Sequence, residues 1–286
     1  MPTVVLSDDV RIAYREQGAG RPLLMVHGWG AHGGFFQPQL DGLSDRFRVI
    51  SVDLRGHGDS RVAADAELTT ALLARDLVEF MDRLDLNDVV AVGWSMGAMV
   101  LWDAYLEGAS PRIARMVVED MSPRIVNEPG WPLGLRKGYD AAAAEQGARD
   151  MLADWPAYAA ALARNLVSSG ARRENLVAWA EREFAAQEPR PLAGLWSDLA
   201  DKDFRDRLPL IEAPTLIVHG RYGPYEAETA QYLQRTLPTA ACMHFQRSGH
   251  APHLEEPERF NRVVSEFANQ PAGRATAPAG LASSTA

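Results

Sequence analysis

The chain of 286 residues has one cysteine, Cys242, so no intrachain disulfide can brace it. It also lacks a basic excess: 29 Lys and Arg against 38 Asp and Glu leave a formal charge of -9. A sequence-independent grip on nucleic acid or on an anionic membrane would need a basic face, so neither partner is expected. No apolar stretch approaches the ~18 residues of a membrane span. The opening Met1-Pro2-Thr3, followed by Asp8-Asp9, has no basic-then-apolar secretory pattern. The expectation is a cytoplasmic protein whose partner is a small molecule, with an oligomeric state the sequence leaves open.

What is abundant is apolar: 47% of residues are hydrophobic, enough for a sizeable core. Continuous apolar runs at Leu23 to Val26, Val49 to Val52, Val89 to Val92, Met116 to Val118 and Leu216 to Val218 read as fully buried strands. Helical patterns separate several of them, which predicts a mostly parallel sheet covered on both faces. Thr69 to Leu84 is the clearest amphipathic helix, with Leu73, Leu77, Phe80 and Leu84 on one side. Between Pro123 and about Pro214 the strand rhythm stops and the sequence turns Ala-rich and helical. The division expected is an α/β core from 1–123 and 213–270, a helical cap inserted at 124–212, and a disordered Ala/Gly/Pro/Ser/Thr tail at 271–286.

The most informative segment is Gly93-Trp94-Ser95-Met96-Gly97. It fits G-x-S-x-G, follows an apolar strand and opens a helical pattern, the setting in which a serine hydroxyl is presented on a sharp turn. Ser95 is the candidate nucleophile. Three further motifs follow one another with it: His27-Gly28-Trp29-Gly30, Asp53 to Ser60, and Ser248-Gly249-His250-Ala251-Pro252-His253-Leu254-Glu255. With these motifs in this order, the chain resembles the α/β-hydrolase fold family over roughly residues 3 to 268. The resemblance implies His250 as general base and the backbone N–H groups of Trp29 and Met96 as the oxyanion hole. Asp53 to Ser60 is assigned to structure. His253, three residues after His250, suggests loop ordering more than a metal ligand, and no metal or other cofactor is expected.

The third triad member departs from the family's usual pattern. Where relatives carry an aspartate after the strand ending at His219-Gly220, this chain has Gly223. Some branches instead put the acid at the end of the preceding strand, here Glu119-Asp120. Neighbouring strand residues point to opposite faces, so only one of the two can aim at the imidazole. Alignment from Arg115 favours Asp120; Glu119, and Glu226 or Glu228 beyond the altered loop, remain alternatives.

The resemblance implies hydrolysis of a carboxylic ester or lactone through an acyl-enzyme, with acyl transfer as a variant of the same chemistry. Cofactor-independent oxygenation of a hydroxyquinolone-like substrate by a His–Asp dyad is a second reading, and a slow, ligand-binding relative of the enzymes a third. Aromatic and sulfur side chains suggest an apolar or aromatic substrate lodged among Phe35, Trp94, Met121, Trp131, Trp155 and Trp196. His32, His57 and His219 are expected to be packed and hydrogen-bonded more than catalytic.

Overall fold

The computed structural model describes residues 1–168 and 173–278. Among them are the strands β1 (Thr3–Val5), β2 (Arg11–Gln17), β3 (Pro22–Val26), β4 (Arg48–Val52), β5 (Val89–Trp94), β6 (Ile113–Glu119), β7 (Thr215–Gly220) and β8 (Ala240–Phe245). They form one sheet in the order β1-β2-β4-β3-β5-β6-β7-β8. The pairs β1·β2 and β2·β4 are antiparallel, and all others are parallel. Every residue of β5 and β7 is buried, as an apolar run in the middle of a doubly covered sheet requires. The edge strand β1 and its neighbour β2 are half-exposed and carry no such run, so a continuous apolar pattern does not mark them.

The helices in chain order are α1 (Gln37–Leu43), α2 (Thr70–Arg83), α3 (Met96–Ala104), α4 (Ala141–Ala153), α5 (Trp155–Leu166), α6 (Arg173–Ala185), α7 (Pro189–Asp201), α8 (Ala227–Thr236), α9 (Pro252–Glu255) and α10 (Pro257–Ala268). Thr69 caps α2 by accepting the Leu72 N–H at 3.1 Å, and Leu73, Leu77 and Phe80 turn inward. All of α3 is buried. It runs so close to β3 that a Cβ on Gly97 would stand 2.1 Å from the Val26 carbonyl oxygen.

Helices α4 to α7 lie between β6 and β7, with α4 against α7 and α5 against α6. Asp140 and Asp154 cap α4 and α5 by accepting the N–H groups of Ala143 and Ala157. The stretch 124–140 that leads into them is irregular rather than helical. Of the expected disordered tail, residues 279–286 lie outside the described residues. Its first part is held: the Arg115 guanidinium donates to the carbonyls of Gln270, Pro271 and Arg274 at 2.6 to 2.7 Å.

Because both atoms at the Gly97 contact are on backbones of buried elements, neither can yield cheaply. Gly97→Ala is expected to cost at least ~3 kcal/mol of stability. Urea denaturation followed by circular dichroism checks this; an unchanged midpoint would refute the close approach of α3 to β3.

Candidate active site

Ser95 occupies the turn between β5 and α3 with φ 53° and ψ -126°, a left-handed conformation costly for a residue with a Cβ. Its N–H donates to the Glu119 carbonyl at 2.9 Å, tying the turn to the end of β6. The hydroxyl does not cap α3 and borders an internal cavity instead. Met96 is the first residue of α3, where a backbone N–H has no intrahelical acceptor and lies at the positive end of the helix dipole.

The facing loop after β3 is set by His27. Its Nδ1 donates to the Gly28 carbonyl at 2.8 Å, and its Nε2 accepts the Leu54 N–H at 3.0 Å. Burial pushes the His27 pKa well below that of a free imidazole, so the ring stays neutral in this tautomer. Trp29, two residues on, is anchored at its far end by an Nε1–H bond to the Leu192 carbonyl of α7, at 2.9 Å.

The two carboxylates at the end of β6 diverge as strand alternation requires. Asp120 Oδ2 lies 2.7 Å from His250 Nδ1. Glu119 faces the other side, where Oε1 accepts both the backbone N–H of His253, at 3.0 Å, and its ring Nδ1, at 2.9 Å. Glu226 pairs with Arg136 at 3.0 Å, and Glu228 is exposed; neither meets the imidazole. Asp120 is buried. Burial alone would raise its carboxyl pKa, but hydrogen bonds from His219 and His250 outweigh that and hold it below the usual carboxylate value.

The loop bearing His250 is held at several points. The His250 N–H donates to the Leu166 carbonyl at 3.0 Å, and its own carbonyl accepts from Trp94 Nε1 at 2.8 Å. Glu255 accepts the Gly249 N–H at 2.6 Å, and Ser248 donates to Glu256 at 2.8 Å. With Nδ1 bound to Asp120, Nε2 is the second ring nitrogen of His250, which lines the same cavity as Ser95.

Ser95 and His250 open on a cavity of about 250 Å³ whose wall is mostly apolar. Of the residues expected at a substrate pocket, Trp94, Met121 and Trp196 line it. Phe35, Trp131 and Trp155 do not, which corrects that reading. Phe35 packs behind Trp94, against Trp179 and Phe184. Trp155 sits behind Trp29 and Tyr158, and Trp131 packs on Tyr232 and Arg205 away from the cavity. Large aromatics on one face of a helix fill the core as readily as a pocket. The cavity wall missed by sequence comes largely from the inserted helices, including Tyr158, Leu162, Phe184 and Leu199, joined by Tyr139 and by Tyr225. Tyr225 follows the Gly-Pro of the altered loop, the one local signal that could have pointed to it; its phenol donates to Met121 Sδ at 3.3 Å.

The remaining histidines stand outside the cavity wall. His32 pairs with Glu183 at 3.0 Å. His57 is buried beside His27, and burial pushes its pKa down to about 4. His219 meets Asp120. Among the described residues no group of three or more His, Cys, Asp or Glu side chains could hold a metal ion, and no helix is long and apolar enough to cross a membrane.

A profile of the alpha/beta hydrolase fold matches residues 21–257. The chain is 31% identical over 261 residues to a pimeloyl-[acyl-carrier protein] methyl ester esterase of Vibrio vulnificus, covering 90% of this chain and 98% of that one. Among solved structures, an esterase from Exiguobacterium antarcticum superposes with a TM-score of 0.87 at 24% identity, over 94% of this chain and 99% of that one. Est816, an N-acyl homoserine lactone degrading enzyme, superposes with a TM-score of 0.77 at 25% identity, over 93% and 100% of the two chains. With the elbow serine, the parallel sheet and these relatives in agreement, the chain belongs to the alpha/beta hydrolase fold family and is an enzyme of its esterase kind.

Proposed function

We propose that the chain is a cytoplasmic serine hydrolase that cleaves a carboxylic ester or lactone with a small apolar or aromatic acyl portion, through an acyl-enzyme on Ser95. The observation that carries this reading is the 2.7 Å Asp120–His250 hydrogen bond, which opens on the same apolar cavity as Ser95. His250 takes the Ser95 proton as the hydroxyl attacks the carbonyl carbon, then returns it to the departing alcohol. Asp120 fixes the ring so that Nε2 faces the reaction and stabilises the imidazolium. The N–H groups of Trp29 and Met96 receive the oxyanion. Water, activated by the same imidazole, then releases the acid.

The core, 1–123 and 213–270, carries the chemistry, and the insertion 124–212 acts as a cap that shapes the acyl site. The cavity volume of about 250 Å³ lies below the ~300–1,000 Å³ of most small-molecule pockets, which favours short substrates. The methyl ester named for the Vibrio vulnificus relative supports testing esters of small alcohols first, and the Est816 likeness supports including lactones.

Three measurements test the reading. In a panel of p-nitrophenyl esters, methyl esters and lactones, Ser95→Ala is expected to lower kcat by ~10^4 or more, and Asp120→Asn by about as much. A Ser95→Ala enzyme within tenfold of the parent would remove the serine from the mechanism. Turnover should be equal under argon and in air, since water supplies the incoming oxygen. Stoichiometric O2 uptake with a 3-hydroxy-4-quinolone that survives Ser95→Ala would establish the oxygenase instead, and ester formation from added alcohol in preference to acid would mark an acyl transferase. Finally, a Cβ on Gly223 would lie 2.2 Å from Asp120 Oδ2, so Gly223→Ala must displace that carboxylate. Its kcat is expected to fall at least ~10-fold, the cost of a disturbed charged hydrogen bond; an unchanged kcat would mean that the Asp120 geometry does not matter to turnover.

A further inference from the structure

The second oxygen of Asp120 has partners that the triad mechanism leaves unused. While Oδ2 serves His250 at 2.7 Å, Oδ1 faces His219 Nδ1 at 3.2 Å and the Gly220 N–H at 3.3 Å. The carboxylate is fully buried and His219 nearly so, with side-chain exposures of 0% and 5%. An ionised carboxylate out of water needs donors on both oxygens, and a backbone N–H at 3.3 Å is a weak one. His219 is the penultimate residue of β7, the strand next to β6, and its ring packs edge-on against His244 of β8 with centroids 5.3 Å apart. Its orientation is therefore fixed by the sheet.

The titratable groups facing Asp120 are His219 from β7, His250 from the loop after β8, and the Tyr225 phenol from the segment before α8. Glu119 points to the opposite side and belongs to His253. His219 is thus the one side chain other than the base itself that bonds Asp120 among the described residues. Two Nδ1–H donors, one on each oxygen, leave the carboxylate no freedom to rotate away from His250.

We infer that His219 is a positioning residue of this site: by donating Nδ1–H to Asp120 Oδ1 it holds the carboxylate with Oδ2 aimed at His250. The inference rests on the proposed serine mechanism, in which Asp120 orients the base. It assigns the end of β7, which lacks a carboxylate of its own, the task of supporting the one on β6.

The test compares His219→Ala, His219→Asn and His219→Gln, with Asp120→Asn alongside, by full pH profiles of kcat and kcat/KM on the best ester. An Asn side chain can put an N–H near the position of the imidazole Nδ1, whereas Gln carries it one atom further out. Loss of the donor in His219→Ala should lower kcat by tenfold to about a hundredfold, with KM little changed, as for other hydrogen bonds to charged groups. The acidic limb of its kcat/KM profile should move to higher pH, because an Oδ1 without its donor leaves more negative charge to favour the His250 imidazolium. His219→Asn should keep kcat within about threefold and retain the parent limb, since the charged hydrogen bond is preserved; His219→Gln should resemble Ala.

Parent-like profiles for His219→Ala, or Asn and Gln variants that behave alike, would overturn the inference. If the Ala variant does not fold, the Asn and Gln pair decides alone, both being close to histidine in volume. An Asp120→Asn enzyme that loses ~10^4 in kcat beside an unaffected His219 series would sink the positioning role and leave the triad standing. An Asp120→Asn enzyme at full activity would sink both.

Discussion

The hydrogen bond from His250 Nδ1 to Asp120 Oδ2 joins groups 130 residues apart in the chain, and the architecture of the site is organised to keep it short. It requires the end of β6 to be held against β7, which it is: Glu119 pairs with Val218, and the Asp120 N–H donates to the Val218 carbonyl at 2.8 Å. It requires the carboxylate to remain ionised although buried, which takes donors enough to offset burial. And it requires a loop without regular structure to hold an imidazole steady, a job divided among Trp94, Leu166 and Glu255.

Strand alternation does more here than select one acid. The successive residues Glu119 and Asp120 reach opposite faces and grip the same loop twice, at His253 and at His250. Between the two imidazoles stands Trp94, with ring centroids 4.9 Å from His253 and 5.6 Å from His250, while its N–H takes the His250 carbonyl. Trp94 immediately precedes Ser95, so the ends of β5 and β6 and the His250 loop form one packed unit. Asp120 itself has φ 47°, in the left-handed region that aspartate adopts more readily than most residues with a side chain. Positive φ at Ser95 and at Asp120 thus marks the ends of two neighbouring strands at the site.

How much of this is legible in the sequence follows the range of the interaction. Ser95, His27 to Trp29 and His250 lie in short strings whose meaning is local: a turn, a loop, a helix start. Asp120 is longer in range, yet readable, because the two-residue period of a strand forces a choice between neighbours and the gap at Gly223 says that an acid is needed elsewhere. The cavity wall is not readable in that way. Phe35, Trp131 and Trp155 are as aromatic as Trp94 and Trp196, but which face of α5 or α7 looks inward depends on how the inserted helices dock, and that is decided by tertiary packing. Likewise β1 and β2 escape a search for apolar runs because half of each faces solvent. The donor at His219 escapes because a histidine near the end of a strand looks the same in sequence whether it is packed or supports a carboxylate.

The position of the acid has a geometric explanation in the spacing of adjacent parallel strands. Strands about 4.8 Å apart bring their carboxyl ends close enough that a carboxylate from either β6 or β7 can approach the same imidazole nitrogen. In this chain, with Asp120 placed as it is, a Cβ at residue 223 would stand 2.2 Å from Asp120 Oδ2, so the loop after β7 has no room for a side chain there unless that carboxylate moves. Moving the acid also changes what must hold it. A carboxylate at the end of β6 looks across to β7, where the Gly220 N–H is 3.3 Å away and the next donor within reach is the side chain of His219. The strand that gives up the carboxylate is therefore the one in position to supply the hydrogen bonds that keep it charged.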